Sequence, residues 1–195
     1  MRPSSGPSGR DAGFTLIELI VYISLAGIVL TIVGGMLISS LRAEASVRTA
    51  SEATTLGQLI SRSVQGGMRN ASAAKLTTNS DDTQMLIVRT AGRGATVTWS
   101  CQAWYYDPIN DGTLYTRITT PATTIAVPTT GPTGTIGSWT FLGDGIATTA
   151  TPVFDGIPTR ISIDLDIEAG DRAPISITTT ATTRTLATES EPCFT

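Results

Sequence analysis

The chain has 195 residues, a formal charge of −3 and no histidine, and its length fits one modest domain plus an appendage. Without imidazole, a Ser-His-Asp triad, a Cys-His pair and a histidine zinc site are all excluded. The mild acidity weighs against bulk nucleic-acid binding. Hydrophobic residues make up 41% and charged residues 15%, which suits neither a strongly charged disordered chain nor a multi-span membrane protein. The composition leans away from an enzyme, and no catalytic residue, metal or cofactor is expected.

Residues 1–13 form a hydrophilic leader rich in Gly, Pro and Ser, carrying Arg2, Arg10 and Asp11. An apolar stretch over residues 14–41 follows, interrupted only by Glu18. Its uncharged part, residues 19–41, spans about 34 Å as a helix at about 1.5 Å per residue. That covers a hydrocarbon core of about 30 Å. The preceding arginines place the amino terminus in the cytoplasm and everything after Arg42 outside. An ordinary secretory signal has an apolar region of about 7–15 residues and a small-x-small cleavage site. Here the run is far longer, and Ile38-Ser39-Ser40-Leu41 leads directly into a charged helical pattern. An uncleaved signal anchor, holding an extracellular binding domain to the membrane, is the alternative.

Glu18 requires an explanation, because a carboxylate at the centre of a membrane span costs about 2.5–3.5 kcal/mol and less near an interface. One reading has it a turn inside the helix, reaching the headgroups and favoured by the helix dipole. The flanking residues offer another. Gly13-Phe14-Thr15-Leu16-Ile17-Glu18, behind a basic hydrophilic leader and ahead of some twenty apolar residues, resembles the class III signal of type IV prepilins and pseudopilins. The resemblance implies cleavage by prepilin peptidase between Gly13 and Phe14, N-methylation of Phe14, and retention of the apolar segment as an assembly stem. It also implies that Glu18 pairs with the new ammonium of a neighbouring subunit, an attraction far stronger in a low-dielectric filament core than in water.

The implied partners are prepilin peptidase, other pilin or pseudopilin subunits, an inner-membrane assembly platform and, before assembly, membrane lipid. The resemblance assigns the globular domain neither a DNA nor a surface ligand. Tyr22 departs from the family's aliphatic pattern. It lies four residues after Glu18 on the same helical face, within reach of a hydrogen bond, or else marks the membrane interface. Gly27, Gly34 and Gly35 permit close helix approach.

Beyond the stem, Ala43, Val47, Ala50, Ala53, Leu56 or Gly57, Ile60 and Val64 recur at spacings of three and four, predicting an amphipathic continuation of the helix. Glu44 with Arg48 and Arg48 with Glu52 form i,i+4 pairs on the opposite face, and Gly66-Gly67 is the expected stop. The period then becomes that of strands, expected at 85–90, 95–106, 113–119, 138–142, 161–168 and 174–186. Asp107 to Gly112 supplies a turn before 113–119, and residues 121–137 form a Thr/Pro/Gly loop.

The expected architecture is α+β and pilin-like: a long N-terminal helix packed on a meander of antiparallel strands. It divides into leader 1–13, stem 14–41, amphipathic helix 42–67 and an extracytoplasmic domain 68–195. The Trp/Tyr-rich strand and the Leu114-Tyr115-Thr116-Arg117 return resemble the larger minor subunits, of the J-type pseudopilin or W-type minor pilin kind. Outside the cytoplasm, Cys101 and Cys193 suggest a disulfide tying the tail to the sheet, and two separate thiols are the other reading. Asp164, Asp166, Glu168 and Asp171 read as a solvated face before a calcium site. Asp107, Asn110 and Asp111 read as turn chemistry. Asn70-Ala71-Ser72 meets the glycosylation sequon, and the threonine-rich loops are candidates for O-glycosylation.

Overall fold

The computed structural model describes residues 15–92, 97–109, 111–128, 138–147, 152–184 and 192–194. Two compact units divide the chain, residues 1–45 and residues 46–195. One helix, α1 (Leu16–Arg69), supplies all the described structure of the first unit and opens the second.

In the first unit the helix is uncovered. Its large apolar side chains, such as Leu16 at 80% and Met36 at 69%, stand exposed. This stretch is long and apolar enough to cross a membrane.

In the second unit the helix buries Ala53, Gly57, Ile60, Val64 and Met68, a stripe at spacings of three and four. The stripe starts later than the sequence pattern indicates: Ala43 is exposed and Val47 is 62% exposed, because the strands reach the helix only from Thr49 onward, where Gly170 lies against it. On the solvent side Arg48 Nε donates to Glu52 Oε1 at 2.9 Å.

The stop expected at Gly66-Gly67 is also corrected. The helix runs on to Arg69 and ends at Asn70, whose N–H reaches the Gly67 carbonyl at 3.2 Å. The Asn70 amide Nδ2 donates to the Gly66 carbonyl at 3.0 Å, satisfying carbonyls the last turn leaves open. Gly67 serves packing: a Cβ there would sit 2.3 Å from Cη2 of the buried Trp104. The indole is pinned in turn, its Nε1 donating to Ser63 Oγ at 2.9 Å.

The strands form two antiparallel sheets, where the sequence pattern suggests one meander. The first holds β1 (Ala71–Thr78), β2 (Gln84–Ala91), β3 (Trp99–Asp107), β4 (Thr113–Thr119) and β5 (Thr140–Gly143), in chain order. The second is built on β8 (Arg160–Ala169). One edge of β8 pairs with β6 (Ile146–Ala147) and β7 (Phe154–Ile157), the other with β9 (Arg172–Thr182). The expected strands at 85–90, 113–119 and 161–168 appear within a residue or two of their limits. The strand expected at 95–106 begins at Trp99, with 95 and 96 outside the described residues. β1, β6 and β7 lie outside every expected strand.

The turn from β1 to β2 is fastened by Asp81. Its Oδ1 accepts from the Thr83 hydroxyl at 2.7 Å and the Thr83 N–H at 3.2 Å, which lowers the Asp81 pKa.

Both faces of the first sheet are buried. Toward the helix, Leu86, Val88, Trp104, Tyr106 and Leu114 join the helix stripe and the inward row Ile161, Ile163, Leu165 and Ile167 of β8. On the far face, Met85, Ile87, Ala103, Tyr105 and Tyr115 are covered by Ile125, Trp139, Cys193 and Phe194. A buried amide joins the sheets: Gln84 on β2, 2% exposed, donates through Nε2 to the Phe154 carbonyl and accepts from the Phe154 N–H, each at 2.9 Å. Tyr106 Oη adds a second link, donating to the Ile146 carbonyl at 2.9 Å.

Candidate functional site

The residues of greatest chemical interest begin the helix. Thr15 caps it: its carbonyl accepts the Leu19 N–H at 3.2 Å, and its Oγ1 accepts the Glu18 N–H at 3.4 Å. Thr15 and Glu18 have the T-x-x-E spacing of a capping box, of which the Thr15 half is formed. Glu18 is exposed and occupies the first turn, where the positive end of the helix dipole favours a carboxylate. Gly13 and Phe14, expected to form the cleavage junction, lie outside the described residues.

Along the uncovered stretch, each hydroxyl with a described bond finds its partner within the helix. Ser24 Oγ donates to the carbonyls of Ile20 at 2.8 Å and Val21 at 3.0 Å, and Thr31 Oγ1 donates to the Gly27 carbonyl at 2.8 Å. Such back-bonding lets polar side chains sit in an apolar medium without an outside partner. Gly27, Gly34 and Gly35 have open space where a Cβ would point, and Tyr22 is exposed. A surface of this kind can lie in lipid or against other apolar helices. Within residues 16–41 the one carboxylate, Glu18, is at the end where a cation could approach.

The other candidate residues are structural. Cys101 on β3 and Cys193 are joined by a disulfide with Cα atoms 5.6 Å apart, both fully buried in the far-face core. On β8, Asp164 and Asp166 alternate with the buried row and are used by neighbouring hydroxyls. Ser162 Oγ donates to Asp164 Oδ2 at 3.0 Å, and the Ser176 hydroxyl donates to Asp166 Oδ1. Glu168 and Asp171 are exposed. Among the described residues no group of three His, Cys, Asp or Glu side chains is placed to hold a metal ion.

Asp107 is buried, and its Oδ1 accepts the Ile109 N–H at 2.9 Å. Asp111 and Gly112 take left-handed φ values of 55° and 58°, which close the turn between β3 and β4. Asn110 lies outside the described residues. In the sequon, Asn70 caps the helix and Ser72 Oγ donates to the Arg89 carbonyl at 3.3 Å.

Residues 8–34 match the family model of the prokaryotic N-terminal methylation motif. The match runs from the leader across Gly13 and Phe14 to the middle of the uncovered helix. It supports a type IV pilin-like class and points to a structural protein. With the apolar helix, it fits membrane anchoring and a surface filament. Comparisons with curated proteins and with solved structures returned no match.

Proposed function

We propose that the chain is a non-catalytic minor pilin or pseudopilin. Prepilin peptidase removes the leader 1–13 by cutting between Gly13 and Phe14, and Phe14 becomes the N-methylated first residue. The stem 14–41 holds the subunit in the cytoplasmic membrane, amino terminus inside and the domain outside. The assembly platform then draws it into a type IV pilus, a type II secretion-like pseudopilus or a tip complex.

The observation that carries this reading is an uncovered apolar helix with a single carboxylate, Glu18, in its first turn, within the methylation motif. Removed from lipid, the stem must bury that surface against other stems, at about 25 cal/mol per Å². Glu18 then needs a counter-charge, and the ammonium of a neighbour's Phe14 supplies it. Because an unpaired charge in such a core is strongly unfavourable, the pair fixes axial register as well as adding energy.

The decisive measurement is mass spectrometry of the native amino terminus, with methylated Phe14 expected. An intact Met1 would leave the uncleaved anchor as the correct reading. Glu18→Ala is expected to leave membrane insertion unchanged and to impair incorporation into filaments; normal incorporation would remove the role assigned to Glu18.

A further inference from the structure

The second unit carries two complementary surfaces along its helix. Beside helix residues 49–56 lies a groove of about 470 Å³ floored by Ala53, Leu56, Leu142 and Ile167. Its rim carries the exposed carboxylates Asp111, Asp144 and Glu168, together with Glu52, which is paired with Arg48. The rim is held rigidly: Gly145 N–H donates to the Asp111 carbonyl at 2.7 Å, and Glu168 N–H donates to the Gly145 carbonyl at 2.8 Å.

Further along the helix, Leu59, Arg62, Gly66 and Arg69 follow at offsets of three, four and three, so they share one face. Leu59 is 51% exposed. Arg62, Gly66 and Arg69 are exposed as well. This is an exposed helix ridge with one leucine and two arginines, bordered at Arg62 and Gly66 by a groove of about 360 Å³.

We propose that the Leu59–Arg62–Arg69 ridge of one copy seats in the acid-rimmed groove of the next. Leu59 covers the apolar floor and the arginines meet the Asp144 and Glu168 side of the rim. Charge complementarity commits the groove to this occupant. A ridge at residues 59–69 and a groove beside residues 49–56 are different surfaces, so the contact is heterologous and repeats into an open chain. Leu59 lies three to six residues beyond Leu56 and Ala53, so seating it on that floor staggers neighbouring parallel helices by about 5–9 Å at 1.5 Å per residue. The contact deepens the filament reading above and rests on it for its biological setting.

A cross-linking cycle with full-length chains in detergent micelles tests it. Leu59→Cys on one chain and Leu142→Cys on another should be joined by a short bis-maleimide, the native cysteines being buried and bonded. Adding R62E/R69E to the first chain sets acid against acid and should cut the yield about tenfold. Adding D144R/E168R to the second chain sets base against base, with the same loss. Combining both reversals should restore the parental yield, and restoration also shows that both variants are folded.

No mixed product from the parental pair, equal yields throughout, or no rescue would each overturn the contact. Methylated Phe14 without cross-linking removes this contact and leaves the filament reading standing. An intact Met1 with a complete cycle removes the filament reading and leaves the self-association.

Discussion

Adjacent glycines at the end of α1 allow a sharp test of the packing. Gly66 and Gly67 share a helical turn, so replacing either by alanine gains about 0.8–1 kcal/mol of helix propensity. Their surroundings differ. A Cβ at Gly66 meets nothing within 4 Å, whereas at Gly67 it falls 2.3 Å from Trp104 Cη2, 3.1 Å from Cζ2 and 3.2 Å from Gln102 Oε1. Relief needs a shift of more than 1 Å by a rigid, fully buried ring that is also bonded to Ser63. Overpacking of this severity costs about 3 kcal/mol, the upper part of its usual range.

The net expectation is a loss of about 2 kcal/mol for Gly67→Ala and a gain of about 1 kcal/mol for Gly66→Ala. For a domain of this size the former lowers Tm by about 4–8 °C. Urea unfolding of the detergent-solubilised chain, followed by near-UV circular dichroism, measures both. Trp104→Phe removes the clashing ring atoms, so the double variant Gly67→Ala/Trp104→Phe should show favourable coupling in a mutant cycle. If Gly67→Ala proves as stable as Gly66→Ala, the assignment of Gly67 to packing is wrong.

Gln84→Ala strands the N–H and carbonyl of Phe154 in the interior, and a loss of about 2–4 kcal/mol is expected in the same unfolding assay. Gln84→Glu should be worse at neutral pH than at pH 4, since a carboxylate can accept from Phe154 N–H but repels its carbonyl. Replacing Cys101 and Cys193 together by alanine is expected to cost about 2–5 kcal/mol, read as a fall in Tm relative to the oxidised chain. Burial raises the pKa of Tyr105 and Tyr115 above the ordinary 10.0. The folded state therefore keeps protons that the unfolded state sheds, so stability should fall as pH climbs past about 10. Tyr105→Phe should flatten that fall, and an unchanged alkaline slope would contradict it.

Legibility in the sequence followed periodicity. The stem, the helix stripe from Ala53, the β3–β4 hairpin and the alternation of β8 each repeat a signal over many residues, and each was readable. β1 was not, because Ala71, Ala73 and Ala74 have no strand preference of their own; pairing with β2 makes them a strand. β6 and β7 are too short to show a period. Gly67 looked like a stop signal because its partner Trp104 is 37 positions away in the chain. At the candidate site, the Gly-Phe-Thr-x-x-Glu pattern was local and therefore visible. The Gln84 bridge was invisible for the opposite reason, since an amide announces nothing until its distant partner is known.

The far-face core has a consequence for biosynthesis. Its floor is laid down by β2 and β3, yet Cys193 and Phe194 close it, and Cys193 lies 92 positions after Cys101. At about 5–20 residues per second, roughly 5–18 s separate the two cysteines during elongation. Through that interval Met85, Ile87 and Tyr105 wait for part of their cover, and the Cys101 thiol has no mate within its own chain. Any disulfide Cys101 forms before residue 193 is made is therefore intermolecular, and the native bond must then be reached by thiol exchange.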